Sequence, residues 1–270
     1  MSQDPLNVMV VGAAGRMGSL TARTVADADD LRLAAIVDPA WHESDETVLG
    51  TVPSTAVRAA TVDDALAATQ VDVAVDFTVP AVTFGTVRSV LSAGVDAVVG
   101  TTGLSSGQVA ELDRVRAAHD AHLFIAPNFA LGAVLLMRFA REAARYYADA
   151  EIVELHHSGK VDAPSGTALR TARLMVEAPG SLLGDPPAGR QDPGETSAAR
   201  GLAEGRVHLH SVRLPGLVAH QEVIFGALGE TLTMRHDSTS RESFMAGVLL
   251  AVRNVGRLEG TVVGLEHLLT

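Results

Sequence analysis

Asn7-Val8-Met9-Val10-Val11-Gly12-Ala13-Ala14-Gly15-Arg16-Met17-Gly18 joins a short apolar run to three evenly spaced glycines. Val8–Val11 is continuous rather than alternating, the pattern of a strand covered on both faces. Met17–Ala26 follows with the spacing of an amphipathic helix. In a strand–glycine–helix unit the first glycine makes the tight turn. The second lets backbone approach a pyrophosphate, and the third packs helix against strand. The helix start adds unpaired N–H groups and a partial positive charge suited to phosphates. A second run, Leu33–Val37, leads into Asp38, where an acidic side chain can accept hydrogen bonds from ribose hydroxyls. These residues predict a dinucleotide site. The alternative is that the glycines only build a turn and Asp38 only ends a strand.

Working outward, apolar runs recur at Val71–Phe77, Ala97–Val99 and Leu123–Ala126, separated by helical stretches at Ala81–Ala93 and Gln108–Ala118. This alternation predicts a doubly wound parallel sheet. Asp76-Phe77-Thr78, Gly100-Thr101-Thr102-Gly103 and Ala126-Pro127-Asn128-Phe129 lie at strand ends. In open sheets of this type ligands bind there, so all three should border the nicotinamide side. Ordinary turn chemistry explains each of them equally well. Past Gly132 the pattern changes to a helix (Ala133–Tyr147), a strand (Glu151–His156) and a second helix near Thr167–Val176. Pro179–Gly205 shows no periodicity and reads as a long loop. Three alternating runs, Val207–Val212, His220–Phe225 and Thr231–Arg235, predict a mixed or antiparallel sheet. Thr239-Ser240-Arg241-Glu242 has the form of a capping box ahead of a helix over Phe244–Val255.

Composition narrows the function. The chain has 270 residues, 21 Lys+Arg against 32 Asp+Glu, a net charge of −11 and no cysteine. Disulfide scaffolds, zinc fingers, iron–sulfur centres and thiol nucleophiles are thereby excluded. An acidic chain with scattered cations is not expected to bind nucleic acid. The longest stretch free of charged residues, Ala121–Met137, is broken by Pro127 and Asn128 and does not read as a membrane span. Met1-Ser2-Gln3-Asp4-Pro5 lacks signal-peptide features, so a cytoplasmic protein is expected.

The second half holds His156-His157-Ser158-Gly159-Lys160-Val161-Asp162-Ala163-Pro164-Ser165-Gly166-Thr167. Two histidines, a loop lysine and a helix start suit carboxylate binding and proton delivery. Each has a plainer reading, a packed histidine or a solvated lysine. Four histidines, His156, His157, His208 and His210, could be imagined around zinc, but the spacing is wrong and no metal is expected. Trp41 could flank an adenine or simply pack. Asp38 accepts from a ribose diol and repels a 2′-phosphate, and the next residue is Pro39 rather than a cation. NADH is therefore the expected cofactor, with NADPH left open by Arg16 in the glycine loop.

The G-x-x-G-R-M-G string, the Gly100–Gly103 loop and above all His-His-x-x-Lys-x-Asp-Ala-Pro-Ser-Gly-Thr resemble the 4-hydroxy-tetrahydrodipicolinate (dihydrodipicolinate) reductases of diaminopimelate and lysine biosynthesis. The likeness extends through Ala126–Phe129, His210–Gly216 and Arg235–Ser238 with Arg241. It implies an NAD(P)H-dependent oxidoreductase, with His156 and Lys160 catalytic and His157, Gly166 and Thr167 binding a dicarboxylate substrate. Gly12, Ala13, Ala14, Gly15, Arg16, Met17, Asp38, Gly100, Thr101, Thr102, Ala126, Pro127, Asn128 and Phe129 would line the cofactor. The chain departs from the family at Asp38-Pro39, since several members have Arg after the acid, and this puts NADPH affinity in doubt. The fold implied is α/β: a Rossmann-like doubly wound domain over residues 1–129 and a smaller α+β substrate and tetramerisation domain over 130–239. C-terminal helices over 240–270 would return to the first domain, and the assembly would be a homotetramer. Two other readings stand beside this one. A semialdehyde dehydrogenase would need a different proton-handling loop, and a non-catalytic NAD sensor would bind cofactor without turnover.

Overall fold

In the computed structural model, which describes residues 4–40, 55–184 and 198–269, the opening apolar run forms β1 (Leu6–Val11). Val8, Met9 and Val10 have no solvent exposure at all. This is what a strand sandwiched between two helical layers requires. It is followed by α1 (Arg16–Ala26), β2 (Leu31–Val37), β3 (Val57–Ala59), α2 (Val62–Ala68) and β4 (Val73–Asp76). Next come α3 (Pro80–Ser92), β5 (Asp96–Val99), α4 (Ser106–Ala118) and β6 (Leu123–Ile125). The described chain divides into two compact units, residues 1–129 with 244–270, and residues 130–243.

The first unit is built on a seven-stranded sheet, whose paired strands are all parallel. Its order runs β3-β2-β1-β4-β5-β6 and ends in β12 (Thr261–Val263). The order reverses between β1 and β4, so the crevice at their carboxyl ends is the topological switch point. On one face Met9, Val11, Ala35 and Val37 pack with Val62 and Ala65 of α2, Val87, Val90 and Leu91 of α3, and Leu112 of α4. α1 packs on β1 and β2 and against α7 (Met245–Asn254), with Thr21 Oγ1 3.9 Å from Met245 Sδ.

The second unit holds α5 (Leu131–Ala143), β7 (Asp149–His156), α6 (Gly166–Val176), β8 (Leu202–Glu204), β9 (Val207–Arg213), β10 (Ala219–Ala227) and β11 (Glu230–Ser238). The sheet order is β11-β10-β7-β9-β8, with β7 and β9 parallel and the other pairs antiparallel. Ile152, Leu209, Val223 and Phe225 form one core with Leu136 and Ala140 of α5 and Ala168, Ala172 and Met175 of α6. The other face carries Val153, Leu155 and Ile224, interleaved with Glu151, His210 and Glu222.

The sheets match the expected α/β architecture; three local readings do not. The end of the Pro179–Gly205 stretch contains β8, an edge strand paired with β9. The Thr239–Glu242 capping box does not form, because Arg241–Phe244 is a 3-10 turn and α7 starts only at Met245. Ser240 Oγ instead accepts the Glu242 N–H at 3.3 Å, a local turn bond that competes with helix capping. The C-terminal segment is not helical throughout, since β12 extends the sheet beside β6. Trp41 lies outside the described residues.

Candidate active site

The glycine turn is dictated by its surroundings. Gly12 has φ +80°, and a Cβ there would lie 2.6 Å from the Phe77 carbonyl oxygen. A Cβ on Gly18 would fall 2.0 Å from the Gly12 oxygen, so β1 and α1 can meet only without side chains at both positions. The Gly12 and Ala13 N–H groups donate to the Val37 carbonyl, at 2.9 and 3.2 Å. Asp38 continues this tie: its carboxylate accepts from the Ala14 N–H at 3.0 Å and from the Ala40 N–H at 2.9 Å. α1 begins without a side-chain cap and without an acid in its first turn, whereas α4 closes its own start with a Ser105–Gln108 capping box. The α1 terminus thus keeps free donors and its dipole for an anion. Gly15 and Arg16 are exposed beside it, and Met17 is half-buried. A turn that excludes a Cβ at Gly12 and Gly18, an open helix start and a fixed acid at the end of β2 together fit a dinucleotide.

Across the switch point, Asp76 at the end of β4 is a buried carboxylate, 4% exposed. It accepts from the hydroxyls of Thr101 at 2.8 Å, Thr78 at 2.9 Å and Thr83 at 3.3 Å. Burial pushes its carboxyl above the ordinary range, against the pull of these hydrogen bonds. The Thr101 side chain is therefore committed inward, which leaves its backbone and the exposed Thr102 to face a ligand. Phe129 is likewise a core ring, 3% exposed, stacked edge to face on Phe77 at 5.7 Å. Ala126 is buried, Pro127 exposed and Asn128 half-buried. What the Ala126–Phe129 turn can offer a cofactor is chiefly main chain.

In the second unit, β7 delivers His156 to its carboxyl end and turns His157 out into solvent. Two residues before His156, on the same face, Glu154 is fully buried. One Glu154 oxygen takes the His156 Nδ1 hydrogen bond. Arg213, from the end of β9, grips both oxygens in a fork at 2.9 and 2.7 Å. The Ser165 N–H donates to Glu154 at 3.2 Å, and Arg213 also reaches the Asp162 carbonyl at 2.6 Å. Burial alone would raise the Glu154 carboxyl, but Arg213, Ser211 and His156 outweigh it and hold the group below the usual carboxylate range. Burial dominates at His156 and lowers its imidazole, with Glu154 pulling the other way.

Lys160 stands on the loop that this cluster anchors, with Nζ 2.7 Å from Asp162 Oδ1. The lysine hydrogen bond depresses the Asp162 carboxyl. α6 starts at Gly166, capped by Ser165, whose hydroxyl accepts the Ala168 N–H at 3.2 Å. The N–H groups of Gly166 and Thr167 have no acceptor among the described residues. Open space surrounds the Gly166 Cβ position, so a carboxylate can reach both donors. Histidine, lysine and bare helix start thus converge on one loop.

The sequence assigns no role to Glu154, Arg213 or Asp162, although the last two lie within the stretches that carry the resemblance. The available signal was an acid on the inward face of β7, between Ile152 and His156, where an apolar residue is the norm. His208 and His210 serve other partners, the Arg200 carbonyl at 3.1 Å and Glu151 at 2.6 Å. No group of three metal-ligating side chains occurs among the described residues. No helix among them is long and apolar enough to cross a membrane.

Comparison with known proteins divides the chain at the same point after Phe129, with residues 244–269 grouped with the second part. Residues 6–129 match the family profile for dihydrodipicolinate reductase, N-terminus, and residues 132–269 that for its C-terminus. The 4-hydroxy-tetrahydrodipicolinate reductase of Moorella thermoacetica is 45% identical over 265 residues, 98% of each chain. That of Streptococcus pneumoniae is 48% identical over 98% of this chain and 99% of its own. A solved dipicolinate-bound dihydrodipicolinate reductase from Paenisporosarcina sp. TG-14 superposes with a TM-score of 0.84 at 34% identity, covering 98% of this chain and 100% of that one. With both units matched and the likeness running from end to end, the chain belongs to the dihydrodipicolinate reductase family.

Proposed function

We propose that this chain reduces 4-hydroxy-tetrahydrodipicolinate to tetrahydrodipicolinate with loss of water, a cytoplasmic step of diaminopimelate and lysine biosynthesis. The observation that carries this is the convergence of His156, Lys160 and the bare Gly166–Thr167 helix start on one loop, anchored by Glu154 and Arg213. When bound, the nicotinamide cofactor supplies a hydride to C4 of the substrate ring. Gly12–Met17 hold the pyrophosphate, Asp38 the adenosine ribose, and Gly100–Thr102 with Ala126–Phe129 border the nicotinamide half. In the second unit, the Gly166 and Thr167 N–H groups hold one carboxylate of the dianionic substrate and His157 contacts it. The Lys160 ammonium draws in the second negative charge and protonates the departing hydroxyl, while His156 exchanges a proton with the ring.

Asp38 bears on the choice of nicotinamide. Its carboxylate is fixed by two backbone N–H groups, retains lone pairs for a ribose diol, and repels a 2′-phosphate. A steady-state assay with the enzymatically generated hydroxy-imine is expected to show turnover with a higher kcat/KM for NADH than for NADPH. Equal values would refute the preference; no turnover with either cofactor would refute the reaction.

Assembly as a homotetramer is part of the same proposal. The mixed sheet buries one face against α5 and α6, and its other face mixes Val153, Leu155 and Ile224 with charged groups. Such a face suits burial against further copies of the chain. Sedimentation equilibrium is expected to give a particle of four 28.1 kDa chains. A monomer at micromolar concentration would end this part of the proposal.

A further inference from the structure

The described molecule contains two buried carboxylates beside its candidate ligand sites. Asp76 is satisfied by the hydroxyls of Thr78, Thr83 and Thr101 and by the Thr78 N–H, whereas Glu154 touches a residue proposed to react. Glu154 is ionised, because the Arg213 fork and the Ser165 N–H both require a negative or accepting oxygen. An ionised carboxylate can only accept hydrogen bonds. The contact with His156 Nδ1 therefore fixes the proton on that nitrogen. His156 Nε2 has no partner among the described residues, yet the atoms buried without a partner are Arg213 Nε and Gln221 Oε1. Nε2 thus remains open to a ligand.

We propose that Glu154 is a positioning residue that holds His156 in the Nδ1–H tautomer, so that Nε2 meets the substrate as a base and Lys160 is left as the acid. The inference rests on the reaction proposed above and assigns its two proton transfers. Nε2 takes a proton from C5, which is acidified by the adjacent imine. That C–H pair forms the C4–C5 double bond as the C4–O bond breaks, and the oxygen leaves as water with a proton from Lys160 Nζ. After hydride reaches C4 from the reduced nicotinamide, the proton on Nε2 returns to C5. The balance is one hydride and one proton consumed and one water released, the proton being Lys160's and replenished from solvent. Arg213 is the clamp on the Glu154 carboxylate and, through the Asp162 carbonyl, on the lysine loop.

The charged groups around the imidazole are Glu154 on its own strand, Arg213 on β9, and Lys160 with Asp162 on the loop. Of these, Glu154 is the one that favours the imidazolium by direct contact. Glu154→Gln removes that charge and offers a single carbonyl, which Arg213 claims. The amide NH2 then faces Nδ1 and forces the opposite tautomer. The expected result is a fall in kcat on the order of 10²-fold, the low end for a positioned base, with KM little changed. The acid limb of the kcat/KM profile should also shift to lower pH, since loss of the carboxylate makes the imidazole harder to protonate.

Nitrogen-15 NMR of histidine-labelled wild-type protein reads the tautomer without any variant, the His156 signals being assigned by their loss in His156→Gln. A protonated Nδ1 with a bare Nε2 supports the proposal even where Glu154→Gln folds poorly. A protonated Nε2 in the wild-type protein overturns it, and so does a folded Glu154→Gln enzyme with an unchanged pH profile and kcat. Turnover by the wild-type enzyme tests the reaction separately, so a failed tautomer assignment is distinguishable from a failed function.

Discussion

Lys160→Ala is expected to lower kcat on the order of 10²–10⁴-fold, the contribution of a well-placed proton donor. The argument is geometric. Lys160 is tethered by Asp162 at 2.7 Å, its backbone N–H closes a turn on the His157 carbonyl at 3.1 Å, and the loop is pinned at the Asp162 carbonyl by Arg213. The ammonium therefore approaches a substrate from a prepared position, whereas alanine keeps the backbone turn but loses the tether and the proton it holds. A dianionic substrate also loses its cation, so KM should rise along with the fall in kcat. Single-turnover measurements with saturating NADH separate the chemical step from binding. A wild-type rate in Lys160→Ala would remove the lysine from the mechanism.

The largest effect on stability is expected at Arg213. Removing one partner of a buried ion pair costs about 3–5 kcal/mol, because the other charge stays buried and unpaired. Glu154 has no exposure, and Arg213 is the cation that bonds both of its oxygens, beside His156 and the Ser165 N–H. Arg213→Ala should therefore consume a large part of the 5–15 kcal/mol or so that separates native from unfolded domains. Glu154 titrates below its usual range in the folded chain. Its stabilisation is thus present above the unfolded carboxylate pKa and is lost as pH falls through the folded value. Arg213→Ala should flatten this acid-side loss. Urea melts of both proteins at neutral and acidic pH measure the effect. A change under about 1 kcal/mol at neutral pH would mean that the site relaxes and admits water. The double variant Glu154→Gln/Arg213→Met, which leaves no uncompensated charge, should recover part of the loss.

What the sequence made legible follows from how local each signal is. β1, the glycine turn and α1 are readable because strand burial, glycine spacing and helix periodicity fall within about twenty residues. The parallel sheet follows from repetition of that pattern. β3 and β12 escape because three residues, Val57–Ala59 or Thr261–Val263, carry no period and gain their meaning from the neighbouring strand. The capping-box pattern at Thr239–Glu242 misleads because a 3-10 turn satisfies the same side chains locally. In the candidate site, His156, Lys160 and the α6 start are contiguous and stand out. Glu154 and Arg213 lie 59 positions apart and meet only because β7 pairs with β9 in a register that sets His156 opposite Arg213. The inward-facing acid of β7 is legible in its own strand, but its pairing with Arg213 is made by sheet register and is written in neither strand alone.

The first unit is discontinuous, closed by β12 beside β6 and by α7 against α1 after the whole second unit has intervened. A ribosome releases the chain amino end first. Residues 130–243 are therefore all synthesised while the nucleotide-binding sheet still lacks its last strand and a helix. During that interval β6 is a bare parallel edge, the kind of surface on which strands from other chains can add. Vectorial synthesis makes the inserted unit the first to hold its full sequence and the nucleotide-binding unit the last.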